Sequence, residues 1–339
     1  MIEYLQKLSR RLDLDEEEAA AAMALIMRDE ATPIQVAGFI AALRVKGETA
    51  AEVTGMARTA RAVATPIVIA HPEDALDTCG TGGDGSHSFN ISTLAAIVAA
   101  GCGLRVAKHG NRAASSSSGS ADVLEALGVA IDPTPERTAC LVDEVGIGFL
   151  FAPLYHPSFR FAGVPRRELG IRTVFNLLGP LCNPAHVGRQ SLGVADPTLA
   201  PLMAEVLERL GLVRALVFCS EGLDELGLEG ESLVIELGSG GRREYSIRAS
   251  ELGLSRAGAS ALRGGTPADN AAIALEVLGG ALGPRRDVVC LNAAAALIAG
   301  GLAHDFQEGV GLAREALDSG SAAARLARWI EASNGEGAA

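Results

Sequence analysis

Aromatic side chains are scarce in this 339-residue chain: Phe, Tyr and Trp together make up 4% of it. The apolar fraction is nonetheless an ordinary 48%, so the core has to be assembled from aliphatic and small side chains, with helices packed closely. Paired cysteines are missing as well. Cys79, Cys102, Cys140, Cys182, Cys219 and Cys290 lie far apart with no Cys-x-x-Cys, which argues against a zinc ribbon or a disulfide framework and suits a reducing compartment. There is no Lys/Arg-rich run, and the formal net charge is −12. Such a field repels a polyphosphate backbone and disfavours nucleic acid as a partner, yet a few fixed dipoles and a metal ion can still hold a small anion. The longest apolar stretches, 94–104 and 293–303, fall well short of the ~20 residues that span a bilayer. Met1-Ile2-Glu3-Tyr4 has neither the basic start nor the apolar run of a secretory signal. A soluble, cytoplasmic protein with no membrane partner is expected.

Residues 1–64 read as helix after helix. Glu16–Met27 is Ala-rich with acidic residues at its start, Thr32-Pro33 is a cap followed by Pro at the first helical position, and Thr49 opens a further helix. Beyond Pro66 short apolar runs alternate with helical patterns. The strand candidates are Leu104–Ala107, Ile147–Phe151, Ala215–Cys219 and Leu233–Leu237. The helix candidates are Ile91–Ala100, Ala121–Leu127, Leu199–Leu210, Asn270–Leu278 and Asp287–Ile298. The pattern predicts an α/β protein: a small all-helical N-terminal domain over 1–66, with a return segment near 166–186, and a larger α/β catalytic domain over 67–165 and 187–339 with a mostly parallel central sheet.

Three segments carry chemistry. Asp77-Thr78-Cys79-Gly80-Thr81-Gly82-Gly83-Asp84-Gly85 leads through Ser88, Asn90 and Ser92 into an apolar helix, so backbone N–H groups and a helix N-terminus can face an anion. Gly80-x-Gly82-x-x-Gly85 matches the dinucleotide fingerprint literally, but Lys108 and His109 stand where a ribose-binding carboxylate is needed, and the Gly-Lys-Ser/Thr ending of a P-loop is absent. Lys108-His109-Gly110-Asn111-Arg112, continuing to Gly119-Ser120-Ala121-Asp122, is read as a supple loop able to wrap a phosphorylated sugar. Asp224-Glu225, just after the strand candidate 215–219, has the hard oxygen ligands that Mg²⁺ takes. An anion nest, a cationic loop and a carboxylate pair on the rim of one sheet suggest a Mg-diphosphate substrate.

Read together, these segments resemble the anthranilate phosphoribosyltransferase family. The motifs are Gly80–Asp84, Phe89–Thr93, Lys108–Arg112, Gly119–Glu125, Pro153–Pro157, Arg166–Thr173, Asn176–Pro180 and Glu221–Glu225, with helical stretches at 35–49, 284–287 and 291–293. They occur in the family's order over nearly the whole chain. The resemblance implies transfer of the phosphoribosyl group of phosphoribosyl pyrophosphate (PRPP) to anthranilate, a step of tryptophan biosynthesis, on a nucleoside phosphorylase/phosphoribosyltransferase-like fold. It implies PRPP contacts from Gly80, Gly83, Asp84, Ser88, Asn90, Ile91, Ser92, Thr93, Lys108, His109, Gly110, Asn111, Arg112, Ser115, Ser116 and Ser120. Anthranilate would meet Gly80, Asn111, His156 and Arg166, and Mg²⁺, two ions with PRPP, would meet Ser92, Asp224 and Glu225. His109 and Lys108 are the expected catalytic residues, and a homodimer through the helical domain is expected.

Two positions depart from the family pattern: Ser117 replaces a usual Lys or Arg, and Val164-Pro165 reverses a usual Pro-Val before Arg166. The rival readings are a pyrimidine nucleoside phosphorylase, which needs a Lys-His-Ser-Thr phosphate loop absent here, and a non-catalytic nucleic-acid binder, which should be basic.

Overall fold

The structure is a computed structural model that describes residues 1–113, 117–220 and 222–335. Four helices open the chain: α1 (Ile2–Ser9), α2 (Glu16–Met27), α3 (Pro33–Lys46) and α4 (Ala50–Ala62). The last three begin with reciprocal capping boxes, Asp15 with Glu18, Thr32 with Gln35 and Thr49 with Glu52, which satisfy N–H groups that a helix start leaves orphaned. Glu52 is fully buried, accepts the Leu14 N–H at 2.9 Å and pairs with Lys46 at 3.0 Å, tying the α1–α2 connection to α4.

A seven-stranded sheet follows, in the order β3-β2-β1-β4-β5-β6-β7: β1 (Leu76–Gly80), β2 (Val106–Gly110), β3 (Ile147–Phe151), β4 (Arg189–Gly193), β5 (Arg214–Ser220), β6 (Ser232–Gly238) and β7 (Gly241–Ile247). The first five are parallel and the last two antiparallel. The expected class, a helical N-terminal part with an α/β part around a mostly parallel sheet, is the class observed. Alternate residues of β5 serve different cores: Leu216 and Phe218 face α5 (Ile91–Gly101) and the helices at 284–299, 306–318 and 321–334, while Ala215 and Val217 face the opposite side. On that side the helices at 175–181 and 200–209 form one core with α2, α3 and α4.

Three strands lack a sequence signal. β1 and β4 carry Asp77, Thr78, Arg189, Gln190 and Ser191, which read as polar connection yet lie at the sheet centre; Asp77, Thr78 and Gln190 find partners inside, Gln190 donating to the Pro180 carbonyl at 2.6 Å. β7 is a largely exposed edge strand. The candidate at 104–107 is corrected to Val106–Gly110, because strand pairing with β3 runs through Lys108, His109 and Gly110. Among the described residues no helix is long and apolar enough to cross a membrane.

Close helix packing is concentrated where α2 crosses α4. A Cβ on Gly55 would overlap the Glu16 carbonyl oxygen and stand 3.0 Å from the Ala20 nitrogen, so the backbones touch there. Gly55→Ala gains up to about 1 kcal/mol in helix propensity but forces the helices apart at a typical cost of about 1–3 kcal/mol. Net destabilisation of up to about 2 kcal/mol is expected as a lower urea midpoint, and a raised midpoint would contradict the close crossing.

Candidate active site

The glycine-rich segment leaves the carboxyl end of β1 and returns at the start of α5. Gly82, Gly83 and Gly85 all have φ near +70°, a conformation open to glycine. The Gly82 N–H donates to Asp224 Oδ2 at 2.6 Å, and a Cβ on Gly80 would collide with that same oxygen. Neighbouring Glu225 accepts the Ser92 N–H at 3.0 Å. Asn292, on the central helix 284–299, pins the turn by exchanging two hydrogen bonds with the Leu226 backbone. Burial, then the charge of Asp224, pushes Glu225 up to about 8; burial, then Asp84, raises Asp224. Asp84 keeps a buried, unpartnered Oδ2. Among the described residues no three Asp, Glu, His or Cys side chains form a metal cage by themselves. The donor set instead suits a hard cation that takes one or two carboxylates and completes its shell with water and substrate oxygens.

β1 and β2 part company almost at once. Their ladder pairs only Leu76 with Val106, whereas β1–β4 and β2–β3 each keep five pairs. Side chains fill the split: Asp77 Oδ1 accepts the His109 N–H at 3.1 Å, the Lys108 ammonium donates to the Thr78 carbonyl, and Asn183 donates to Asp77 at 2.9 Å and to the Ala107 carbonyl at 2.8 Å. Burial lifts Asp77 to about 6 despite Lys108 nearby. Lys108 and His109 are therefore not on a supple loop, as expected above; both are buried in the last residues of a strand. Gly110 is there because a Cβ would strike Ser120 and Phe149.

Two chambers open at this strand edge. One, about 300 Å³, is walled by Gly82, Gly83, Asn90, Ser92, Thr93, Lys108, Arg112, Ser120, Asp224 and Glu225. The other, about 260 Å³, is walled by His156, Phe159, Arg166, Phe175, Asn176 and Pro180. They share Cys79, Gly80, His109, Gly110 and Asn111. In the second chamber His109 Nδ1 lies 3.2 Å from the Gly179 carbonyl and His156 Nε2 lies 2.8 Å from the Cys182 carbonyl. A carbonyl only accepts, so each of those nitrogens carries the proton and the other nitrogen of each ring is a lone pair. Both lone pairs are buried without a partner. Burial depresses His109 to about 3 and His156 to about 4, so both rings are neutral. Arg166 is half-buried, stacks 5.2 Å from the Phe175 ring centre, and its guanidinium has no hydrogen bond or ion pair among the described residues. A lone guanidinium among aromatic and apolar walls suits a small aromatic carboxylate.

The other expected site residues divide. Asn90 reaches the second loop through the Ser118 carbonyl at 3.2 Å, and Ser120 donates to the Asn111 carbonyl at 3.2 Å. Arg112 is committed to Asp122 and Glu125 at 2.9 and 2.8 Å, and Asp122 also accepts the Ala113 and Gly119 N–H groups, closing the loop on itself. Ser88 forms an isolated backbone bridge with Arg263 just before α5, and Ile91, the first residue of α5, is buried with its N–H on the Phe89 carbonyl. Ser115 and Ser116 lie outside the described residues. Asp77 opens the glycine-rich segment recognised in the sequence but had no role assigned there, and Asn183 escaped the sequence reading. Phe159 and Phe175 had none beyond being aromatic in an aromatic-poor chain.

The chain matches the family model described as glycosyl transferase family, helical bundle domain, over residues 2–64, and the one described as glycosyl transferase family, a/b domain, over residues 72–323. It is 53% identical over 322 residues to the anthranilate phosphoribosyltransferase of Moorella thermoacetica, covering 94% of this chain and 95% of that one. Among solved structures, the anthranilate phosphoribosyltransferase of Thermus thermophilus superposes with a TM-score of 0.93 at 48% identity, covering 98% of this chain and 99% of that one. The Saccharomyces cerevisiae enzyme in complex with PRPP and Mg superposes at 0.89 with 29% identity over 98% and 97% of the two chains. These relatives give no support to the nucleoside phosphorylase or nucleic-acid-binding alternatives.

The locked tautomers predict that the ring ¹H–¹³C resonances of His109 and His156 do not move between pH 8 and pH 5, since both rings protonate only below that range. A titration of either ring centred near 6.5 would refute the dry, neutral chamber.

Proposed function

Because the chain belongs to the anthranilate phosphoribosyltransferase family, whose reaction joins the phosphoribosyl group of PRPP to the amine of anthranilate, we propose how its two chambers divide that reaction. The observation that carries the reading is their shared wall at Gly80 and His109–Asn111. The chamber of glycines, Ser92, Asn90 and Thr93 takes the diphosphate, and the chamber of Arg166, His156 and Phe175 takes anthranilate. The ribose C1 then sits at the wall between them, where the amine can approach opposite the departing pyrophosphate. Asp224 and Glu225, with Ser92, hold Mg²⁺, and the nearby Asp84 supports a second ion accompanying PRPP. When bound, the metal neutralises charge on the leaving pyrophosphate.

Loop N–H groups and the α5 start add fixed dipoles at the same place, at no reorganisation cost during the reaction. Lys108 holds the base of the diphosphate chamber positive through its bond to Thr78. Arg166 meets the anthranilate carboxylate, which orients the ring and directs the amine to C1. An arylamine becomes strongly acidic once its nitrogen bonds C1, so a weak neutral acceptor suffices for the proton. The unpartnered His109 Nε2 is that acceptor.

Ser88, Ile91, Gly110, Arg112, Ser115, Ser116 and Ser120 complete the proposed PRPP surroundings, Arg112 after exchanging its carboxylate partners. Residues 1–66 with the return segment 166–186 act as one domain against the rest. Ile34 and Val45 are 85% and 73% exposed on one stripe of α3 with Gly38 between them, which supports a homodimer through this helical part. Six free cysteines suit the cytoplasm.

Arg166→Ala is expected to raise the KM for anthranilate about 10–100-fold, the worth of a charged hydrogen bond of about 1.5–3 kcal/mol, with little change for PRPP. The opposite ranking in steady-state kinetics would remove Arg166 from the acceptor chamber. For the metal, the sign follows from raised carboxylate pKa values. The folded state holds protons that the unfolded state has lost, so this part of the stability is lost as pH rises towards 8 unless a cation replaces them. The Tm increase caused by Mg²⁺ with pyrophosphate should therefore be larger at pH 8.5 than at pH 6.5, and Asp224→Asn with Glu225→Gln should erase that difference. Equal increments at the two pH values in the unaltered protein would count against the metal site.

A further inference from the structure

Arg172 has no part in the roles assigned above. It stands on the 170–174 turn between the helices at 163–169 and 175–181, which pack against α3 and α4. From there its guanidinium crosses to the glycine loop of the α/β part: Nη1 donates to the Gly82 carbonyl at 2.7 Å. The same nitrogen occupies the place that a Cβ on Gly83 would need, so it rests directly on that backbone. Arg172 and Gly83 both line a separate cavity of about 290 Å³, whose walls include Arg44, Glu48, Asp84 and Asp196.

The Gly82 carbonyl and the Gly83 N–H belong to one peptide plane, and in a trans peptide they point in opposite directions. Holding the carbonyl towards Arg172 turns the Gly83 N–H away from Arg172, and Gly82 and Gly83 are both part of the wall of the diphosphate chamber. With glycine on both sides and φ near +70° at each, no side chain bars the plane from rotating the other way. We propose that Arg172 is a positioning residue that sets the Gly82–Gly83 peptide with its N–H towards the diphosphate. Asp224 holds the preceding Gly82 N–H, so the peptides on either side of Gly82 are each held by one side chain. This role rests on the reading of that chamber as the diphosphate site.

Titration calorimetry with Mg-PRPP and, separately, with Mg-pyrophosphate tests it on the unaltered protein, Arg172→Ala and Arg172→Lys. Arg172→Ala is expected to weaken both ligands at least tenfold and to raise the KM for PRPP in parallel, with the KM for anthranilate within twofold. Arg172→Lys keeps a donor and should recover part of the affinity. If Arg172→Ala fails to fold, Arg172→Gln replaces it in the same titrations. Unchanged affinity in a folded variant overturns the role, as does an equal loss for PRPP and anthranilate, which would mark a merely structural arginine. Failure of the unaltered protein to bind either phosphate ligand would instead remove the diphosphate reading itself, and this role with it.

Discussion

Between β1 and β2 main-chain pairing lasts for a single residue pair, and from there the two strands are joined through side chains. Asp77 substitutes for a main-chain acceptor by taking the His109 N–H, and Lys108 reaches back to the Thr78 carbonyl. A carboxylate and an ammonium buried this deeply are tolerable only with partners, and Asn183 supplies the remaining hydrogen bonds. The consequence is geometric. Strands that would otherwise run in register to their ends diverge, and the gap between their carboxyl ends becomes the wall shared by both chambers. Removing Asp77 would leave the His109 N–H and the Asn183 amide each short of an acceptor, so the split is held in place by side-chain hydrogen bonds where main-chain pairing stops.

An acidic chain that handles a diphosphate has to reverse its own field locally. Here the reversal has three parts: main-chain N–H groups of a glycine loop, the start of α5, and carboxylates aimed inward to attract a cation. Asp84 raises the proton affinity of Asp224, and Asp224 and Asp84 raise that of Glu225, a cost that Lys108 offsets only in part. A divalent ion offsets it, which makes the proposed metal a structural complement of the site as well as a chemical one. The acceptor chamber uses the other strategy. Its two imidazoles are kept neutral by burial, so among the described residues that line it the one full charge is Arg166, the proposed anchor for an anionic ring.

The helical start, the Gly-rich turn and the carboxylate pair were legible because each follows from local chemistry: caps, left-handed glycines and oxygen ligands after an apolar strand. β1 and β4 were not, since central strands normally announce themselves by apolar runs, and here Asp77, Gln190 and Ser191 are buried against partners from distant segments such as Asn183 and Pro180. The same non-locality hid the true address of Lys108 and His109. Their sequence reads as polar loop, and only pairing with β3 and the Asp77 substitution make it strand. The backbone bridge of Ser88 with Arg263 could not be read from the motif, because such contacts are set by how distant segments fold together.

The segment 163–174 gives the two lobes a common purpose. It packs against α3 on one side and presents two arginines on the other, just ahead of the helix that carries Phe175. Arg166 enters the acceptor chamber over Phe175, while Arg172 crosses to the Gly82 carbonyl beside the diphosphate chamber. Both guanidiniums ride on the same short stretch, so a rigid-body shift of the helical part moves them together relative to the glycine loop. A shift that withdrew Arg166 from an aromatic carboxylate would also loosen the peptide behind the leaving group. On the proposed division of the two chambers, the two substrate positions would thereby be linked through one covalent piece of chain, with no need for a relay through the core between them.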